Sequence, residues 1–251
     1  MRLRCLDTGR TLFPTEMGEP KAVGVLGGMG PAATVEFFRR VVAATPATVD
    51  QGHLRVVIDN DPSVPDRARA LLYDGPTPVP ALVRMVRRLE AAGAGVLAMP
   101  CNTAHAFLPQ LREAASVPFL DMIDETVRRV SVRTVGLLAT SGTIRSGIYG
   151  RAFAARGIEL LVPNGDGQRT VVRAIEAIKA ARSLGEVETA MRTVVDGLRT
   201  RGAEAVVAGC TEISLLDGDR MPVPWIDALD VLVEATIREA FRGAASDQEV
   251  R

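Results

Sequence analysis

The chain has 251 residues, 47% hydrophobic and 24% charged, with 30 Lys+Arg balancing 30 Asp+Glu. Those values fit a globular protein with room for one large or two small domains, and the zero net charge gives no reason to expect a nucleic acid or an anionic membrane as partner. No apolar run reaches the ~18 residues of a membrane span, and residues 1–20 carry no apolar signal core, so the expected compartment is the cytoplasm. The three cysteines, at 5, 101 and 210, are too few and too scattered for a disulfide framework.

Residues 1–20 read as an N-terminal extension, with Met17 as an alternative start and Cys5 without chemistry. AVGVL (22–26) is a buried strand by its short β-branched run. The glycine loop around Gly28, Met29 and Gly30 follows, and Pro31 opens a helix carrying Val35, Phe38, Val41 and Val42 at helical spacing. A glycine loop at a helix N-terminus is either an anion site or a tight strand–helix turn. It has neither the Lys-Ser/Thr of a P-loop nor the dinucleotide spacing, and a carboxylate suits it as well as a phosphate.

LRVVI (54–58) is the next strand, leading into a loop stiffened by Pro62 and Pro65 before Asp66-Arg67. An arginine there is either a bidentate carboxylate clamp or simply solvated. After a turn at 74–78, residues 81–93 form an amphipathic helix with Leu82, Val86 and Leu89 on one stripe and a glycine stop. The strand Val96–Met99 then ends at Pro100, and Cys101, Asn102, Thr103 and Ala104 make the turn beyond it. In open parallel α/β sheets the carboxyl ends of strands are where ligand crevices lie. His105 is either a base for the thiol or, the reading favoured here, a polar residue at a helix start; the second half has no matching histidine.

The chain then repeats itself. VGVLGGMG from Val23 is answered by VGLLATSG from Val135, Cys101 by Cys210, and VPFLDMIDETV from Val117 by VPWIDALDVLV from Val223, at offsets of 112, 109 and 106. Three landmarks in the same order indicate a duplicated unit of roughly 110 residues. In the second unit Thr140, Ser141, Gly142 and Thr143 replace the glycine loop, and their hydroxyl and N–H groups would hold an anion the same way. IELLV (158–162) is a strand. Residues 169–182 are a helix with Val172, Ile175 and Ile178 inward and Lys179 off that stripe. Residues 187–202 form the helix that delivers the Cys210 strand. Strand–helix alternation predicts an α/β fold of mainly parallel sheets. The expected division is two pseudo-symmetric lobes, 21–117 plus 226–251 and 118–225, with the active site in the cleft between them.

Two cysteines in register across a duplication call for a chemistry. A metal site needs three or four ligands at local spacing, and no CxxC or Cys/His cluster exists. Redox exchange uses a local pair. The remaining option is proton transfer at carbon: one thiolate removes a proton from one face and the opposite thiol returns one from the other. Thiols suit this because their unperturbed pKa is ~8.5 and helix N-termini lower it.

Together GVLGGMGPAAT, DNDPSVPDR, MPCNTAHAF, LLATSGTIRSGIY and AGCTEISLL resemble the aspartate/glutamate racemase family, closest to its aspartate racemase branch, from about residue 22 to 240. The resemblance implies an amino-acid racemase independent of pyridoxal phosphate, two α/β lobes, a homodimer, and a small acidic amino acid as substrate; no metal and no cofactor are expected. It implies Cys101 and Cys210 as the catalytic thiols, with Arg67 and Lys179 contacting the substrate. It implies Asn102, Thr103 and Ala104 around the α-carboxylate or amino group, with Met29, Thr140, Thr143 and Thr211 as further contacts. Glutamate racemases carry Asp-Ser in the first loop and a His after the second Cys-Thr, where this chain has Gly28-Met29 and Glu212. The expected activity is interconversion of L- and D-aspartate. The alternatives are a broad-range or glutamate racemase, a maleate-type isomerase, and a non-catalytic amino-acid sensor.

Overall fold

The computed structural model describes residues 19–180 and 184–242. Cys5, Met17 and the rest of the N-terminal extension apart from Glu19 and Pro20 lie outside the described residues, as do residues 243–251.

Among the described residues, seven strands form two parallel sheets. The first has β1 (Val23–Gly27) at its centre, between β2 (Val56–Asn60) and β3 (Val96–Ala98), and a bridge from Leu97 to Phe119 extends it by one more segment. The second has the order β5 (Glu159–Leu161), β4 (Thr134–Leu138), β6 (Ala205–Ala208), β7 (Trp225–Asp227), all parallel. Counting Phe119, each sheet runs second–first–third–fourth in chain order. β1, β3 and β6 are buried throughout, as parallel strands covered on both faces must be. Phe119 lies just beyond the expected boundary at 117, and β7 straddles that at 226.

Ten helices cover the sheets among the described residues: α1 (Pro31–Ala44), α2 (Arg67–Leu72), α3 (Val79–Ala91), α4 (Leu108–Ala114), α5 (Met122–Arg129), α6 (Ser141–Ser146), α7 (Ile148–Ala154), α8 (Gly165–Lys179), α9 (Leu184–Thr200) and α10 (Ala228–Ala240). The first sheet lies between α1 with α10 and α3 with α4; the second lies between α8 with α9 and α5 with α7. Leu82, Val86 and Leu89 of α3 are buried, as their spacing predicts.

The third repeat has a structural meaning. Asp121 caps α5 by accepting from the N–H groups of Ile123 and Asp124, and Asp227 caps α10 by accepting from Leu229. A cap of this kind is worth about 1 kcal/mol. Each of these helices leaves the last segment of one sheet and packs on the other, and the two touch each other. The exchange ties the two halves together.

Two helix faces differ from the sequence expectation. On α1 the buried side is Ala33, Thr34, Phe37, Arg40 and Val41, while Val35 is 69% exposed and Phe38 and Val42 are also exposed. Apolar residues occupy both sides of this helix, so periodicity could not choose between them; the contacts with β1 and α10 do. On α8 the inward residue is Val171, with Ala174, Ile175 and Ile178, and Val172 is only partly buried.

Arg40 is buried because it is fully partnered. It donates to Glu36, Asp227 and Asp230 and to the Ser214 carbonyl, at 2.5–2.7 Å. These bonds tie α1 of the first half to β7, α10 and the turn after Cys210. Hydrogen bonding from Arg39 and Arg40 holds the Glu36 carboxyl down at about 2, and burial pushes Asp227 up against the pull of Arg40. Removing one partner of such a buried cluster costs about 3–5 kcal/mol, because a charge is left uncompensated.

Candidate active site

Cys101 lies three residues beyond the end of β3 and Cys210 two beyond the end of β6. Both thiols are free and buried, and both line one small cavity of ≈ 40 Å³.

The first half contributes Met29, Arg67, Cys101, Asn102 and Thr103 to the cavity wall, and the second Thr140, Lys179, Cys210 and Thr211. Ala104 and Thr143 are fully buried and sit behind this wall. A larger groove of ≈ 980 Å³ lies beside Arg40, Leu216 and Trp225. It holds no thiol, and its buried arginine is already held by Glu36, Asp227, Asp230 and the Ser214 carbonyl.

Several local devices shape the site. The glycine loop folds over it because Gly28 has φ 91°, where a side chain is strained, and a Cβ there would collide with the Asp61 backbone. Asp66 caps α2 by accepting from Arg69 N–H, which starts the helix at Arg67. Thr103 shares hydroxyl hydrogen bonds with Thr140 at 3.0 Å and Thr143 at 2.8 Å, and those two are 3.0 Å apart. This ring of three hydroxyls joins the Cys101 turn to the start of α6, with Thr143 outside the cavity wall.

In the cavity wall, two buried donors have no hydrogen-bond partner among the described residues: Arg67 Nε and Asn102 Nδ2. The Asn102 amide is oriented by Tyr149, whose hydroxyl donates to Oδ1 at 2.7 Å. Arg67 makes only long contacts, Nη1 to the Val64 and Pro65 carbonyls at 3.2 Å and Nη2 to Met29 O at 3.4 Å. An unsatisfied buried donor costs about 1–3 kcal/mol, and the oxygens of a bound carboxylate would relieve it.

Lys179 has a half-exposed side chain (48%) and stands 3.8 Å from Glu212 Oε1. It is thus both the surface lysine its position off the helix stripe implies and a residue of the cavity wall. Glu212 is buried, and its Oε2 accepts from the Cys210 thiol at 3.0 Å. Burial first, then the adjacent Glu212 carboxylate, pushes the Cys210 thiol well up. Asp66, Ala68 and Glu212 also line the cavity and were not singled out as site residues from the sequence. Glu212 had a signal, since it directly follows Cys210-Thr211.

His105 is not a base for Cys101. Its Nδ1 is 2.8 Å from the Cys101 carbonyl and its Nε2 accepts from Met122 N–H at 3.1 Å. A carbonyl can only accept and a backbone N–H can only donate, so the ring is neutral with its proton on Nδ1. Burial holds its pKa down. The unfolded chain gains this proton near ~6.5 and the folded ring does not, so the stability His105 contributes is complete above that pH and declines below it. His105→Asn is expected to cost about 2–3 kcal/mol at pH 7.5, for two buried hydrogen bonds. The difference from wild type should shrink towards pH 5.5 in thermal unfolding; a constant difference would mean the ring titrates equally in both states.

Among the described residues, no group of three or more His, Cys, Asp or Glu side chains is placed to hold a metal ion, and no helix is long and apolar enough to cross a membrane.

Two parallel sheets flanked by helices, with a thiol beyond a strand of each lining one cavity, define the class: an α/β protein with a two-cysteine site. The chain belongs to the Asp/Glu/hydantoin racemase family, which matches it over residues 26–236. The aspartate racemase of Picrophilus torridus is similar in structure, with a TM-score of 0.77 at 32% identity, covering 90% of this chain and 99% of that one. The broad specificity amino-acid racemase RacX of Bacillus subtilis (strain 168) is 26% identical over 224 residues, 86% of this chain and 96% of its own length. Glutamate racemase from Francisella tularensis, solved with D-glutamate, shares the fold at 18% identity, with a TM-score of 0.66 over 91% of this chain and 84% of that one. The resemblance read from the motifs is therefore correct at the level of family and fold, and the family supports an amino-acid racemase.

Proposed function

We propose that this protein interconverts L- and D-aspartate without a cofactor, by two-base proton transfer between Cys101 and Cys210. The observation that carries the reading is that both thiols, from different sheets, line one small cavity together with Arg67 and Lys179. One thiolate takes the α-proton, leaving a carbanion delocalised into the α-carboxylate. The opposite thiol then gives its proton to the other face, so the two cysteines finish with their protonation states exchanged. The N–H and hydroxyl groups of Asn102, Thr103 and Thr211 hold the α-carboxylate as charge develops on it, while Arg67 and Lys179 hold the side-chain carboxylate.

Two cations in the wall and the likeness to an aspartate racemase favour an acidic substrate. The likeness to RacX favours a second reading, a broader amino-acid range. The proposal includes two lobes meeting at the site, close to the expected division but with Phe119 in the first and all of β7 in the second, a homodimer, and a cytoplasmic location. The exposed Val35, Phe38 and Val42 on α1 offer apolar surface for the dimer.

The test is proton NMR of L-aspartate with the protein in deuterated buffer containing reductant. Loss of the α-proton signal with D-aspartate appearing by chiral chromatography is the expected result. No exchange with aspartate, but exchange with a neutral amino acid, would favour the broader reading. Thermal stabilisation by aspartate without any exchange would replace the enzyme with a binding protein.

A further inference from the structure

Cys210 has a partner that the two-thiol scheme leaves without a task. The Glu212 carboxylate is 6% exposed, accepts the Cys210 thiol proton at 3.0 Å through Oε2, and turns Oε1 towards Lys179 Nζ at 3.8 Å. The glycine loop closes over it: a Cβ on Gly30 would stand 3.3 Å from Oε1. A carboxylate is not needed there for packing, and burying one is costly unless it is paired. Cys210 itself is buried, and among the described residues Glu212 is the acceptor of its thiol proton.

We propose that Glu212 is the proton relay of Cys210, a positioning residue that keeps the thiol protonated at rest, takes that proton when Cys210 must act as base, and returns it when Cys210 acts as acid. The inference rests on the racemase reading of the same site. The step balances: Cys210–SH and Glu212–CO₂⁻ become Cys210–S⁻ and Glu212–CO₂H, the S–H bond breaking as the O–H bond forms. The pair carries one negative charge before and after, so Lys179 on α8 faces a constant charge throughout. The other charged or titratable groups in the cavity wall are Asp66 and Arg67 at the start of α2 and Cys101 across the cavity. Burial is the larger cause of the upward push on Cys210, and the Glu212 carboxylate adds to it in the same direction. The arrangement also makes the two cysteines unequal, since Cys101 has no carboxylate hydrogen-bonded to its thiol among the described residues.

The experiment measures the alkylation rate of Cys210 by iodoacetamide against pH, reading the Cys210 peptide by mass spectrometry so that Cys5 and Cys101 do not interfere. In Glu212→Gln the reactivity midpoint is expected to fall by about one pH unit or more, because a like charge beside the thiolate is removed. In Lys179→Met it is expected to rise, because a stabilising cation is removed. The racemisation kcat of Glu212→Gln should fall about 100-fold, with KM little changed. A midpoint that stays or rises in Glu212→Gln, or an unchanged kcat, would overturn the relay. A wild-type protein inactive on every amino acid, with both midpoint shifts present, would instead retain the Cys210–Glu212 coupling and remove the racemase reading.

Discussion

Cys101→Ser and Cys210→Ser are each expected to lower aspartate racemisation by about 10³-fold or more, while the fold survives. Serine occupies nearly the same volume, but its hydroxyl ionises far less readily than a thiol, so it cannot act as base near neutral pH. Inversion needs a base on one face and an acid on the other, and losing either stops it. Each variant should still exchange the α-proton of a single enantiomer with deuterated water, the one presented to the surviving thiol, and the two variants should choose opposite enantiomers. Chiral chromatography and deuterium incorporation read the two quantities separately. Wild-type racemisation in either variant would eliminate the two-base mechanism, and exchange of the same enantiomer by both would eliminate the opposed placement. The Thr103, Thr140 and Thr143 hydroxyls join the Cys101 turn to the start of α6 without using either thiol, so the expected defect is chemical rather than a loss of assembly.

Arg67→Ala is expected to reduce kcat/KM for aspartate by roughly 10- to 100-fold, the equivalent of ~1.5–3 kcal/mol for hydrogen bonds to a charged group. Most of the loss should fall in KM if Arg67 binds the side-chain carboxylate equally in ground and transition states. Turnover of alanine, which has no side-chain carboxylate, should change little. The unsatisfied Nε of Arg67 is the reason for the size of the effect: ligand binding completes a donor that the folded chain leaves bare. Arg67→Lys should not restore activity, because an ammonium group cannot present a planar fork of donors. Equal losses on aspartate and alanine would move Arg67 from the side-chain carboxylate to the α-carboxylate, which all amino acids share.

The local structure of this chain was legible in its sequence because it is encoded locally. The short apolar runs at 22–26, 54–58, 96–99 and 158–162 became β1, β2, β3 and β5 within a residue or two, while the run at Val117 pairs only through Phe119. The repeated Val-Pro-aromatic segments were legible only as a repeat; the structure shows that they end in two helix caps, Asp121 and Asp227. The two cysteines stood out because the duplication put them at matching strand ends. Other features depend on partners far along the chain. α1 has apolar residues on both sides, and only its neighbours determine that Phe37 is buried and Phe38 is not. His105 could be read as a base or as a bystander until its two nitrogens met the Cys101 carbonyl and the Met122 N–H. Lys179 and Glu212 are 33 positions apart, and no periodicity connects them. By itself, then, the sequence determined the elements, the duplication and the two thiols; which helix face is buried, that the thiols share one cavity, and that Glu212 partners only one of them were decided by the tertiary structure, because those depend on long-range packing that brings charges and donors from separate sheets within a few ångströms.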